Sequence, residues 1–290
     1  MRELIDIGAV WTHAVNRQGH AVLRRILPDE PNYELQERYY MRIYLWPKRF
    51  TSQVRSSNIV LNHEDFVVID KPAGIPSVAT ACNYVENALY QTSHLVGSPL
   101  WPVHRLDTPT TGLLLFSKSS KECARLTKSF RARTVHKFYS LIAEAESPAS
   151  PDLPPAGTLV THWMDLSGTT APKPIAFRED AANGFDKEAK LVIEDLRDLA
   201  PEAGEPEGLR RKLVMVKLLT GRTHQIRAQF GLLGWPLRND VLYRPHFCRD
   251  TVEASGLDPF NPVLDLRCYR MQFEFKDHVF DVSVDPNVPK

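Results

Sequence analysis

The stretch His104-Arg105-Leu106-Asp107-Thr108-Pro109-Thr110-Thr111-Gly112-Leu113-Leu114-Leu115-Phe116-Ser117-Lys118 sets a single acid in a polar loop ahead of a continuous apolar run. Gly112 to Phe116 is too short for a helix and is bounded by turn residues, so it reads as a strand buried on both faces. Asp107 then stands at the mouth of a rigid core element. A carboxylate in such a place needs a cation or water in a cleft, and Arg105 is a local cation. The residues alone leave a second reading open: Asp followed by Thr-Pro-Thr-Thr-Gly also suits a plain turn, because Asp bonds backbone amides and Pro and Gly fix turn geometry.

Upstream, Ile59-Val60-Leu61 and Phe66-Val67-Val68-Ile69-Asp70 read as two short strands around the charged turn His63-Glu64-Asp65, and Lys71-Pro72-Ala73-Gly74-Ile75-Pro76 as a rigid strand exit. Downstream, Ser119 and Ser120 suit a helix cap, and Cys123, Leu126 and Phe130 recur at helical spacing. Lys137 to Ala143 alternates as a strand, with Tyr139, Leu141 and Ala143 on one face. Ser147 to Pro155 is a Pro-rich surface loop, Ala189 to Ile193 alternates as a strand, and Pro201 to Glu207 is an acidic loop placed away from any phosphate backbone.

Leu213 to Leu219 reads as a strand. The string Thr220-Gly221-Arg222-Thr223-His224-Gln225-Ile226-Arg227-Ala228-Gln229-Phe230 follows it, with Ile226 and Phe230 four apart, as in a helix starting just after Gly221. Arg227 then projects beside the core stripe, in reach of a cleft. The closing segments Tyr269 to Phe273 and Val279 to Val282 alternate as antiparallel strands.

The 290 residues are 43% hydrophobic and 24% charged, enough for one large domain with a small appendage. Lys and Arg number 36 against 35 Asp and Glu, a formal charge of +1, so a nucleic-acid surface has to come from local clustering. Cys82, Cys123, Cys248 and Cys268 are scattered, without C-x-x-C or zinc spacing, and read as reduced thiols with no metal site. No stretch approaches the roughly 20 apolar residues of a membrane span and no secretory segment opens the chain, so the expectation is a soluble intracellular protein, placed in the cytoplasm with an organelle left open. A monomer is expected.

Residues 1–50 read as a separate small module: a short helix from Leu4 ending at Gly8, a strand over Tyr39 to Leu45, and the basic, aromatic close Trp46-Pro47-Lys48-Arg49-Phe50. Ile7-Gly8-Ala9-Val10, Arg42-Ile43-Tyr44 and Pro47-Lys48-Arg49-Phe50 resemble the small RNA-binding module of ribosomal small-subunit protein four, with Glu30, Glu34 and Glu37 diluting the charge. A plain structural appendage is the competing reading.

His104-Arg105-Leu106-Asp107, Thr110-Thr111-Gly112 and the Leu-rich strand resemble the H-R-L-D-x-x-T-S-G-L-L-L signature of the RluA-type RNA pseudouridine synthases. Residues 66–76 resemble the V-V-x-K-P-A-G-L-P segment of that family, and Thr220 to Arg227 its T-G-R-T-H-Q-I-R. The similarity runs from about Ile59 to Val284, so 51–290 is the expected catalytic domain. Departures are Thr111 for serine, Ser140-Leu141 interrupting a K-x-Y-x-A pattern, Gln229-Phe230 for His-Leu, and Arg238-Asn239-Asp240 for a Gly-Asp turn before Tyr243.

The resemblance implies an α+β fold, with a mixed, mainly antiparallel sheet, flanking helices and a central cleft. It implies an isomerase that converts uridine in RNA, rRNA or tRNA, to pseudouridine without cofactor or metal. Asp107 is then the catalytic group, Tyr139 faces the same cavity, and Arg227 holds the Asp107 carboxylate with its planar fork. His104, Arg105, Lys71, Lys137 and Arg222 are the implied RNA contacts. Arg105 would fill the stack that a flipped base vacates, and Lys71 would touch phosphate. Lys118, Arg131 and Arg133 are expected to line the same cleft.

Two other classes remain to be weighed. A glycoside hydrolase needs a second carboxylate about 5 to 9.5 Å from the first, and neither diagnostic stretch holds one. An RNA-binding protein of the same fold without activity is the stronger rival, since fold does not guarantee function.

Overall fold

The computed structural model describes residues 2–15, 18, 21–27, 40–145, 147–164, 177–179, 187–200, 208–244 and 264–287. The acidic loop at 201–207, Cys248 and the three glutamates of the amino-terminal module lie outside them.

The chain opens with helix α1 (Arg2–Asp6). It stops at Gly8, whose φ of +73° is the left-handed conformation that a helix end commonly requires. Strands β1 (Val10–Val15), β2 (Ala21–Arg25) and β3 (Met41–Ile43) form an antiparallel sheet in the order β2-β1-β3. The strand expected over Tyr39 to Leu45 is thus shorter, and Tyr39 is outside the described residues. This sheet is separate from the main one.

The second sheet begins with β4 (Ile59–Asn62) and β5 (Phe66–Lys71), entered from a 3-10 turn at Ser56–Asn58. Helix α2 (Ala88–Val96) and the short β6 (Trp101–Pro102) lead into β7 (Thr111–Ser117), all seven residues of which are buried. Helix α3 (Ser120–Ala132) follows, with the Ser119 side chain accepting from Glu122 N as its cap. Then come β8 (His136–Glu144), β9 (Leu159–Met164), β10 (Phe177–Arg178), β11 (Lys187–Asp198) and β12 (Arg211–Leu218). Helix α4 (Gln225–Leu232), β13 (Leu266–Phe275) and β14 (His278–Ser283) complete the chain.

These strands join in the order β10-β9-β11-β12-β8-β13-β7-β5-β4, with β14 on β13 and β6 on β7. All these pairings are antiparallel except one, β13 with β7. The fold is α+β, as the sequence implied.

The parallel seam is short: Arg267 pairs with Thr111 and Cys268 with Gly112. Gly112 has φ +102°, and a Cβ built on it would lie 2.2 Å from the Cys268 carbonyl oxygen, so the two halves of the sheet meet there through bare backbone. Arg267 spans β7 to chelate Asp70 on β5, at 3.0 and 2.7 Å, and clips the halves together. The loop that carries Asp107 enters β7 at this seam. The core on that side includes Phe66 to Ile69 and Leu113 to Phe116, all fully buried.

Helix α4 starts at Gln225, later than the position just after Gly221 that the spacing predicts. The reason is local. The Gln225 side-chain oxygen accepts from the Thr220 hydroxyl (2.8 Å) and from Arg222 N (3.0 Å), so side-chain bonds hold the turn that would otherwise be a first helical turn. His224, just ahead of the helix, has φ +53°.

Candidate active site

The Asp107 loop is held from below by the 71–77 segment. Ser77 Oγ donates to Leu106 O (2.7 Å) and accepts from Leu106 N (2.9 Å), and Gly74 N donates to Thr108 O (3.0 Å). Lys71 Nζ donates to the carbonyls of Pro72 (2.9 Å), Ile75 (2.9 Å) and Thr108 (3.1 Å). Lys71 is fully buried, and burial lowers its pKa to about 7. It was expected to touch phosphate; instead it ties the loop to the sheet, because three converging carbonyls satisfy the ammonium inside.

His104, expected as an RNA contact, lines the cavity and also braces the loop. Its Nε2 accepts the Leu115 N–H at 3.0 Å, and its ring stacks on Phe130 with centroids 4.6 Å apart. Burial, with Lys137 nearby, lowers its pKa to about 3, so the ring is neutral and serves as an acceptor that braces the loop on β7.

Asp107 rises from this scaffold into a cavity of about 560 Å³. Arg227 Nη1 lies 3.9 Å from Asp107 Oδ2, and His224 Nε2 lies 3.8 Å from the same oxygen. The fork of Arg227, however, is not on Asp107. Its Nε and Nη2 chelate Asp240, at 2.7 and 2.8 Å, and Asp240 also accepts from Leu242 N (2.9 Å) and Tyr243 N (3.3 Å). The expected bidentate pair therefore belongs to Asp240, and Asp107 meets only the third nitrogen. The cause is burial: the Asp240 carboxylate is wholly enclosed and needs a full partner, while Asp107 retains solvent. Hydrogen bonds to Asp240 and the charges of both acids raise the Arg227 pKa against burial, which opposes them.

Tyr139 lines the same cavity and is nearly buried. Burial, with Cys268 and Asp107 beside it, raises its pKa well above the ordinary phenol value, so it is present as the neutral phenol. Cys268 in turn is pushed up to about 12 by burial. Arg105, Lys137 and Arg222 line the cavity, as do Arg131 and Arg133; Lys71 and Lys118 do not. Asp107 is the one carboxylate among the lining residues.

Two groups of this site, His224 and Asp240, were not singled out from the sequence as site residues. His224 bonds the Tyr243 hydroxyl through Nδ1 (3.0 Å), and burial lowers its pKa, with Asp107 opposing. Its signal was its place inside T-G-R-T-H-Q-I-R. Asp240 was visible only as a change in a turn, and a pair 13 residues apart across a loop leaves no periodic trace.

Residues 65–231 match the family model described as RNA pseudouridylate synthase. The chain belongs to that family. It is 31% identical over 204 residues to the tRNA pseudouridine(31) synthase of Saccharomyces cerevisiae, covering 68% of this chain and 48% of that one. It is 27% identical over 248 residues to the chloroplastic RNA pseudouridine synthase 6 of Oryza sativa subsp. japonica, covering 80% and 49%. With ribosomal large subunit pseudouridine synthase D of Pseudomonas aeruginosa it shares 30% identity over 205 residues, 69% of this chain and 57% of that one. The chain spans about half the length of the first two. The structure of human RNA pseudouridylate synthase domain containing 4 superposes with a TM-score of 0.57 at 20% identity, covering 81% of this pseudouridine synthase family member and 90% of the human chain, a likeness of fold.

Proposed function

We propose that the chain isomerises uridine within RNA to pseudouridine, with Asp107 as the group that acts on the nucleoside. The observation that carries this is a lone cavity carboxylate, Asp107, set 3.9 Å from Arg227 and surrounded by further cations. In the reaction the N1–C1′ bond breaks, the uracil turns, and C5 bonds to C1′. C5 releases a proton and N1 takes one up, so the atoms balance without redox or energy input. A glycoside hydrolase would need a second acid in the cavity, and Asp240 is committed to Arg227 behind it.

In this reading Arg227 places positive charge beside Asp107, and neutral Tyr139 walls the cavity against the uracil. The target base leaves its stack, at a cost of a few kcal/mol, and Arg105, exposed at the rim, takes its place. The relatives named for tRNA, chloroplast and large-subunit synthases support RNA as the substrate class. Residues 1–50 form a module that adds RNA contacts through its basic, aromatic close, and 51–290 form the catalytic domain. Cys82, Cys123 and Cys268 are free thiols, which supports a reducing compartment. No helix among the described residues is long and apolar enough to cross a membrane.

The test is carbodiimide mapping of pseudouridine in total RNA from cells with and without the gene, followed by tritium release from C5-labelled uridine in the RNA identified. A site lost with the gene and restored by wild type but not by Asp107→Asn is expected. Unchanged maps would overturn the reading and leave an RNA binder of the same fold.

A further inference from the structure

A second group of cations lines the cavity, and no carboxylate among the described residues forms an ion pair with it. Three elements supply them. Arg131 and Arg133 end α3, where Arg133 takes φ +61° as the C-cap. Lys137 lies at the start of β8, paired with Leu218 at the end of β12, and this register carries Lys137 to the same end of the sheet as Gly221 and Arg222. A Cβ built on Gly221 would stand 3.3 Å from Lys137 Nζ, so the glycine gives the ammonium room.

The charges are left uncompensated in a specific way. Among the described residues no carboxylate pairs with Arg131, Arg133 or Lys137. Lys137 Nζ lies 5.7 Å from the centroid of the Phe130 ring. Arg222 uses Nε on the Glu188 carbonyl (3.0 Å), which fixes the side chain and leaves its two terminal nitrogens for the cavity. The Glu188 carboxylate is taken by Lys190, at 2.6 Å. Burial lowers the pKa of Lys137, and burial together with the Arg133 charge lowers that of Arg222. The Glu188 charge opposes the shift at Arg222.

A half-buried ammonium with no acceptor, in a cavity that Arg133 and Arg222 also line, is unfavourable in the empty protein. One anion among them reverses that. Guanidinium forks and a compact ammonium match phosphate oxygens, the forks by direction and the ammonium by charge. A flipped nucleotide also needs its backbone held beside the base, a task that falls to phosphate contacts.

We infer that Lys137, Arg133 and Arg222 form a phosphate subsite that grips one backbone phosphate next to the target uridine. The assignment to RNA rests on the function proposed above; the anion site itself does not. It differs from a diffuse basic surface in predicting one privileged phosphate rather than a smear of equal contacts.

The test has two arms. The first uses inorganic phosphate on the full chain. Phosphate should raise the melting temperature of wild type and leave Lys137→Met unmoved, and Lys137→Met without phosphate should be as stable as wild type or more so, because the unpaired charge is gone. The second uses the RNA oligonucleotide that carries the mapped uridine, with each phosphate in turn replaced by a neutral methylphosphonate. Wild type should lose affinity about tenfold at one position, with smaller losses elsewhere. Lys137→Met and Arg222→Met should bind that oligonucleotide and the unmodified RNA equally, and their loss in kcat/KM should fall on KM.

Equal sensitivity at every position, unaltered by Lys137→Met, would overturn the subsite, as would a fall in kcat at saturating RNA with KM unchanged. If no RNA is modified but phosphate still stabilises wild type through Lys137, the proposed function fails and the anion site survives. If Lys137→Met does not fold, Arg222→Met alone decides both arms.

Discussion

Arg227 lies between two carboxylates and divides its nitrogens unequally, two to Asp240 and one towards Asp107. That division separates the roles that the sequence had merged. Asp107→Asn should preserve shape, folding and RNA affinity, since Asn suits the same loop, while tritium release from C5 falls below detection. Comparable release from the two proteins would remove Asp107 from the chemistry. Arg227→Met should cost about 3–5 kcal/mol in denaturant unfolding, because it leaves the enclosed Asp240 charge unpaired. If Arg227 served Asp107 alone, with solvent at hand, the loss would be far smaller.

Lys71 makes a second residue-scale case. The sequence shows a Lys in a rigid turn, and nothing in K-P-A-G-I-P distinguishes an ammonium that reaches outward from one that turns in to three carbonyls. Its folded pKa is about 7, against 10.5 when unfolded. Between those values the unfolded chain binds more protons, so this group makes stability rise with pH from about 7 to 10.5, by up to about 1.4 kcal/mol per pH unit. Below pH 7 it is charged in both states and adds no slope. The stability of wild type minus that of Lys71→Met should grow across that window, and a flat difference would show that the lysine is solvated. The salt dependence of RNA binding should be the same in both, since Lys71 touches no phosphate.

Among the elements, β7 was the most legible, since the apolar run from Gly112 to Phe116, too short for a helix and bounded by turn residues, reads as a strand buried on both sides, and the strand extends it by one residue at each end. Helix α3 followed from its serine cap and apolar spacing. The start of α4 was not legible, because the competing turn depends on where Gln225 sends its amide. The join between β7 and β13 was hidden too, as a two-residue parallel seam between segments 155 residues apart leaves no pattern in either.

Gly112 marks that join. Gly112→Ala places a methyl 2.2 Å from the Cys268 carbonyl oxygen, at a φ that L side chains rarely adopt, so backbone must move on both strands. The expected loss is about 4 kcal/mol or more in denaturant unfolding, or no soluble protein. Cys268→Gly should not rescue it, because the clash is with main chain and not with the thiol. A Gly112→Ala protein of near wild-type stability would mean that the sheet halves are not packed as described.

For the molecule as a whole, the +1 total was uninformative because it averages a cavity whose lining carries six Lys and Arg against one acid with pairs that cancel elsewhere. The amino-terminal module was legible as a unit, and its docking was not. Arg25 donates to Gly8 O (2.6 Å) and Thr80 O (2.5 Å) and lies over the Trp11 ring at 4.4 Å, and Glu86 receives both Arg49 and Phe50 N. None of these long-range pairs has a sequence signature. They hold the module against the segment ahead of α2.

The module's exposed aromatic residue carries the last prediction. Trp46 is 94% exposed and Leu45 65%, beside exposed Arg42 and Lys48, and Arg49 is the cation of this set anchored to Glu86. An indole that large in solvent contributes little to folding, so Trp46→Ser should change unfolding free energy by no more than about 0.5 kcal/mol. If the module contacts RNA, the same change removes a stacking platform worth about 1–3 kcal/mol per base, and affinity for the mapped RNA should fall at unchanged stability. Arg25→Ala should do the reverse, lowering stability through the lost carbonyl and ring contacts while leaving the Trp46 surface intact. The two variants together separate docking from binding: if Trp46→Ser binds RNA as wild type does, residues 1–50 are a structural appendage, and RNA recognition belongs to the cavity and its cations alone.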